Sequence, residues 1–284
     1  MGFYIGCAVW AYKHWVGNFY PSKSRASDFL SLYSQRLTTV EGNTTFYSVP
    51  NAETVKRWAD ETPSAFKFCL KFPRSVTHQG MLMPQLKEAI AFINHMQPLG
   101  SRLGPIFAQL PPSYHPHSLD DLITFLDSLP HHDLPFAVEV RHADWFESPH
   151  AETLNQELSK LGIGRVLLDS RPIYECPDDP QVASERKKPQ VPLQRVTTGN
   201  FSLVRFISHP DLEFNHLYLQ DWVTPIHQWL KERTDIYFFV HCPDEGRSPH
   251  IARQFHRMLE QNNVPVSPLP WNGVEPPPAQ LSLF

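Results

Sequence analysis

The chain has 284 residues, 41% of them hydrophobic, and a formal net charge of −4 from 25 Lys and Arg against 29 Asp and Glu. That length suits one large core, and the charge balance excludes the broad basic surface that grips duplex nucleic acid unaided, so direct nucleic-acid binding stays open only at a local site. Cys7, Cys69, Cys176 and Cys242 form no C-x-x-C pair, and no apolar run approaches the roughly 20 residues of a membrane span, which points to a cytoplasmic protein with no membrane partner, no disulfide framework and no structural zinc site.

Eight short apolar runs read as strands: FYIGCAV, LTTVEGN, FKFCLKF, PIFAQL, FAVEV, IGRVLLD, FSLVRFI and IYFFVHC. Amphipathic stretches such as ASDFLSLYSQRL, AETVKRWADE, MPQLKEAIAFINHM, SLDDLITFLDSL, SPHAETLNQELSKLG and PHIARQFHRMLEQN fall between and after them, with apolar residues at helical spacing. Eight strands alternating with helices predict a (β/α)8 TIM-type barrel over residues 1–264. An open doubly wound sheet shares the alternation, but neither G-x-G-x-x-G nor a P-loop is present. The long polar segment 170–200 after the sixth strand reads either as a lid or as a disordered insertion. Residues 265–284 form a Pro-rich tail, lying on or off the barrel.

Polar groups gather where the strands end, which in such a barrel is where catalytic residues sit. Glu41 and Asn43 end the second strand, Lys71 the third, Gln109 the fourth, Glu139 and Arg141 the fifth and Asp169 the sixth, while Arg205 lies in the seventh and His241 ends the eighth. A charge inside an apolar strand is costly unless paired, so the set means either a structural ion network or a polar pocket open to a ligand, and seven strands contributing together favour the pocket. Lys71, Arg141 and Arg205 suit phosphate or carboxylate. Glu41, Glu139 and Asp169 are the candidate catalytic carboxylates, with Asp169 and Glu139 the candidates for holding one divalent metal ion. Asn43, Tyr47, His78, Gln109 and His142 complete the expected substrate-binding set. A pair of glutamates across a barrel mouth also fits a glycoside hydrolase or a sugar isomerase. A third alternative is a non-catalytic protein that binds a nucleotide or a partner.

The ordered blocks WAYKHWVGNFYP, VEGNTTFYSVP, KFPRSVTH, AQLPPSY and VEVRHADW closely resemble the YecE-like family, bacterial TIM-barrel proteins grouped as a domain of unknown function. The resemblance implies the barrel and a pocket but no reaction. It places family positions on Glu41, Asn43, Thr45, Phe46, Tyr47, Lys71, Thr77, His78, Glu139, Arg141 and His142, and carries Arg205 over alone from RFISHP. The eighth-strand FVHCPDE departs from the family pattern, so His241 is left outside the expected essential set. The segment QLSLF, Gln280, Leu281, Ser282, Leu283 and Phe284, resembles the pentapeptide by which bacterial replication and repair proteins hold the DNA sliding clamp. A proline-rich leash would present its apolar residues to a pocket on that partner, the alternative being that they fold back onto the barrel. Together these features predict an enzyme acting on a small phosphorylated or nucleic-acid-derived ligand, with phosphodiester hydrolysis as the candidate reaction.

Overall fold

A computed structural model of the protein describes residues 2–182 and 187–274. Each of the eight apolar runs is a strand: β1 (Phe3–Cys7), β2 (Thr39–Gly42), β3 (Lys67–Lys71), β4 (Leu103–Gln109), β5 (Phe136–Glu139), β6 (Gly164–Asp169), β7 (Phe201–Ile207) and β8 (Asp235–His241). All the ladders are parallel, in the order β1-β8-β7-β6-β5-β4-β3-β2, so the sheet curls almost completely into a barrel. Helices α1 (Phe29–Ser34), α2 (Ala52–Asp60), α3 (Leu86–Met96), α4 (Leu119–Asp127), α5 (His150–Leu161), α6 (Leu212–Lys231) and α7 (Ser248–Gln261) surround it. Helix α7 shows why: Ile251, Ala252, Phe255, Met258 and Leu259 recur on one stripe and are buried. Helix α5 ends at Gly162, whose φ of 65° supplies the left-handed residue that closes the last turn.

The longest helix, α6, is the one that the periodicity reading passes over. Pro225 lies within it, and its buried residues include Asn215 as well as Leu219, Trp222, Val223, Ile226, Trp229 and Leu230. After β6 the usual helix is replaced by a single turn, Arg171–Tyr174, followed by the long loop. Helix α7 leads into residues that stay on the barrel. Val264, Leu269 and Trp271 are buried, the Trp271 N–H donates to the Arg36 carbonyl at 3.3 Å, and the Arg253 guanidinium lies 4.3 Å from the Trp271 ring centroid. The QLSLF segment lies outside the described residues.

Side chains alternate along a strand, so every second residue enters the barrel. Tyr4, Cys69, Phe107, Ala137, Val166, Phe201, Leu203, Tyr237 and Phe239 fill the interior as one apolar cluster. Two residues further along β2, β3, β4, β5, β7 and β8 from their inward positions come Glu41, Lys71, Gln109, Glu139, Arg205 and His241. The polar set is therefore the top layer of the barrel, seated directly on an apolar floor.

Between β1 and β2 the barrel is closed by a side chain as much as by backbone. The Cys7 N–H donates to the Tyr33 hydroxyl at 2.6 Å, and that hydroxyl donates to the Thr39 carbonyl at 3.0 Å. Thr38 adds a second bridge, its N–H donating to the Ile5 carbonyl and its hydroxyl accepting from the Ile5 N–H. Gly6 permits this approach, because a Cβ there would meet the Thr39 carbonyl oxygen at 1.9 Å. Removing the hydroxyl with Tyr33→Phe leaves two buried backbone groups without this partner, and denaturant unfolding is expected to show a loss of about 1–3 kcal/mol.

Candidate functional site

The top layer is organised around Arg205. Its Nε and Nη2 donate to the two oxygens of Glu41 at 2.9 Å each, and its Nη1 donates to Glu139 Oε2 at 2.5 Å. The second Glu139 oxygen accepts from Arg141 Nε at 2.6 Å, and Arg141 Nη2 donates to Gln109 Oε1 at 2.7 Å. Lys71 Nζ donates to the same Gln109 oxygen at 2.6 Å and sits 3.9 Å from the Phe46 ring centroid. On the other side, His241 Nε2 lies 2.9 Å from Glu41 Oε2. Burial and the neighbouring Arg205 pull the His241 ring down to about 4, so it donates to Glu41 as a neutral imidazole.

Both glutamates are structural acceptors here. Glu41 is 0% and Glu139 1% exposed, and every carboxylate oxygen is engaged. Burial opposes their ionisation, but Arg205 and His241 hold Glu41 well below the usual range, and Arg141, Arg205 and Lys71 hold Glu139 at about 2. Neither is a ready proton acceptor near neutral pH.

Above this layer opens a cavity of about 460 Å³. Asn43, Tyr47, Lys71, His78, Gln109, Arg141 and Arg205 all line it, so seven of the expected binding residues meet. The remaining one, His142, turns aside, its Nδ1 accepting from the Asp144 N–H while its ring packs 4.4 Å from that of His115. Asp169 is also misplaced by the sequence reading. On β6 the residue that faces the cavity is Leu168, and Asp169 points the other way, accepting from Arg171 and from Trp222 Nε1 at 2.9 Å. A shared cation site between Asp169 and Glu139 is therefore not assembled. Two other groups bring ligand atoms together: His115, His142 and Asp144, and Cys176, Asp178 and His209. In both, the histidine Nδ1 atoms accept backbone N–H bonds, which fixes the protonated tautomer on Nε2 and leaves no lone pair there for a metal.

Several cavity residues were not foreseen. Arg74, Lys187, Lys188 and Glu245 line it as well, and His241, which the family pattern left aside, belongs to the network beneath. The loop after β6 brings its lysines across the mouth: the Tyr174 hydroxyl donates to the Lys188 carbonyl, the Lys188 N–H donates to Gln181 Oε1 at 2.7 Å, and Lys187 Nζ pairs with Asp179 at 2.9 Å. Glu245 follows β8, and Ser248 Oγ donates to its Oε2 at 2.8 Å. Burial raises its carboxyl to about 7 against the opposing pull of Lys188.

The electrostatics of the cavity are one-sided. Burial and Arg205 push the Lys71 ammonium down to about 7, and burial with Lys71, Arg74 and Arg141 pushes His78 down to about 4. Lys188 is lowered as well, burial first and Arg205 and Arg141 after it. Burial is the main cause in all three, and the added contribution from neighbouring cations reflects the number of positive groups gathered here. A larger cavity of about 670 Å³ lies beside the mouth, lined in part by Arg171 and Arg195, but both of these are held by Asp221 and Arg171 also by Asp169. The smaller cavity is the better candidate because Lys71, Arg74 and Lys188 also line it, and none of these three is in an ion pair among the described residues.

The network makes a stability prediction. Arg205→Met strands two buried carboxylates and is expected to cost about 3–5 kcal/mol in denaturant unfolding. The triple variant Arg205→Met, Glu41→Gln, Glu139→Gln should cost less than the single one, because it removes the stranded charges along with their partner.

The comparisons place this geometry in a family. The family model described as "Protein of unknown function DUF72" matches residues 4–274. The chain is 36% identical to UPF0759 protein YecE of Escherichia coli K12 over 285 positions, and 27% identical to UPF0759 protein YunF of Bacillus subtilis 168 over 307, covering 99% of both partners in each case. Crystal structures of DUF72 family proteins share the fold: one from Enterococcus faecalis V583 has a TM-score of 0.71 at 17% identity, covering 91% of this chain and 95% of that one. Another, from Thermotoga maritima MSB8, has a TM-score of 0.68 at 23% identity, covering 92% and 100%. The resemblance read from five sequence blocks thus extends over the whole barrel, and the chain belongs to the DUF72 family.

Proposed function

We propose that the chain is a barrel enzyme acting on a small phosphorylated or nucleic-acid-derived substrate, whose anionic group is held by Lys71, Arg74, Arg141, Lys187 and Lys188. The observation that carries this reading is the convergence of these five cationic side chains, with Arg205 as a sixth, and one carboxyl raised to about 7 on a single cavity. Arginine forks and lysine ammonium groups recognise such an anion, and prepositioned beside it they stabilise charge that develops on it. Glu245 is the proton donor of this scheme, since its neutral form persists to near neutral pH. Phosphodiester hydrolysis with Glu41 or Glu139 as base is not supported, because both are committed to arginine. The same commitment weighs against a glycosidase or isomerase that uses them as acid and base. A silent binding protein would share the cationic cavity, but it has no need of a proton donor in it.

Sulfate does not titrate near neutral pH, so it reports on the protein's own groups. Its binding favours charged Lys71 and uncharged Glu245, and both are lost as pH rises through about 7. Calorimetry is therefore expected to show affinity falling by about tenfold or more from about pH 6 to about pH 8. Lys188→Ala or Arg74→Ala should each weaken binding by about tenfold. Affinity that is flat with pH, or unchanged in both variants, would remove the support for an anion site.

The tail is proposed to tether the protein to the DNA sliding clamp. The support is that QLSLF matches the pentapeptide at all five positions after a proline-rich stretch. Clamp pull-down should capture the wild-type protein and lose most of it with Gln280→Ala or Phe284→Ala. Equal capture of all three would count against the tether.

A further inference from the structure

Lys71 occupies an unusual position among the cavity's cations. It is 5% exposed, at the end of β3 on the cavity floor, whereas Arg74 and Lys187 stand exposed at the rim. Glu41 and Glu139 are taken up by Arg205, Arg141 and His241, and among the described residues no carboxylate forms an ion pair with Lys71. Its contacts are one amide oxygen, Gln109 Oε1, and the face of Phe46. A buried amine that lacks a carboxylate partner and sits among arginines loses its proton easily, and it then becomes a nucleophile. Gln109 suits that state, because its oxygen accepts an N–H bond from the amine and leaves the nitrogen lone pair directed elsewhere.

We infer that Lys71 forms an imine with a carbonyl group of the substrate, which makes the substrate class an aldehyde or ketone carrying a phosphate or similar anion. The inference rests on the anion-site reading above and deepens it: the anionic end lies on the rim cations while the carbonyl reaches the floor. In the first step the Lys71 nitrogen lone pair attacks the carbonyl carbon, a C–N bond forms, and the π pair moves to oxygen. The ammonium proton passes to that oxygen, giving a carbinolamine. The Glu245 carboxyl, which lines the same cavity, then gives its proton to the hydroxyl. Water leaves as the C–O bond breaks, and the nitrogen lone pair closes the protonated imine. One amine, one carbonyl and one acid become one iminium, one carboxylate and one water, with no oxidant or reductant. The product keeps a positive nitrogen in place, an electron sink for bond cleavage or proton loss at the adjacent carbon.

The test is reductive trapping on the intact protein. Wild-type protein is treated with glycolaldehyde phosphate and cyanoborohydride, and the adducts are located by peptide mass mapping. Lys71 is expected to be labelled about tenfold or more faster than the exposed Lys56 and Lys160, because far more of it is unprotonated near neutral pH. Labelling should be suppressed by excess inorganic phosphate and should be weaker with uncharged glycolaldehyde. The readout needs no variant, and Lys71→Arg should abolish the preferred adduct. Labelling of Lys71 no faster than Lys56 and Lys160 overturns the inference. If sulfate still binds in that case, only the imine falls; if sulfate does not bind, the anion-site reading falls with it.

Discussion

One guanidinium clamped between two glutamates sets the terms for the rest of the mouth. Arg205 spans from β7 to Glu41 on β2 and Glu139 on β5, tying three separate strands across the barrel. Such a bridge gains little net energy over an apolar replacement, since desolvating three charges offsets most of the attraction. Its effect is on charge and position. It consumes both carboxylates that the strands turn into the mouth, and it fixes the floor on which Lys71 and Gln109 rest.

The remaining electrostatics follow from that allocation. Burial first, and then Arg205 and Arg141, lower Lys71 and Lys188, and the committed Glu41 and Glu139 offset this only in part. The mouth thereby separates two classes of group. A paired inner set holds geometry, while Lys71, Arg74, Lys188 and Glu245 line the cavity with no ion pair among the described residues.

Much of this was legible before any coordinates. The eight strands came from apolar runs, and the inward residues of β2, β3, β4, β5, β7 and β8 from polar side chains within those runs or at their ends. The failures have particular causes. Asp169 satisfied the same rule of position but not the alternation, because Leu168 takes the inward place on β6. Which parity a strand adopts depends on its register with its neighbours, and a charge at the last position can fall on either face. His142 failed similarly, since the chain leaves β5 after Glu139 and bends before reaching it. Glu245 and Lys188 carried no local signal. Each is an ordinary charged residue in a polar loop until the fold buries it, Glu245 under Ser248 and Lys188 in the segment crossing the mouth. Helix α6 escaped notice because Pro225 interrupts its pattern, although the apolar stripe resumes on either side.

The Tyr33 hydroxyl between β1 and β2 has a mechanical consequence for this site. Every other pair of adjoining strands shares a backbone ladder, whereas this seam is fastened largely by one phenol and one threonine. Opening it breaks few bonds, so amide exchange along β1 and β2 would proceed through small fluctuations well short of global unfolding. Ala8, Val9 and Asn43, which continue those two strands, form one wall of the cavity. The wall built on those two strands is thus the one whose seam rests on side chains, and because Glu41 lies on β2, movement there reaches the clamp as well.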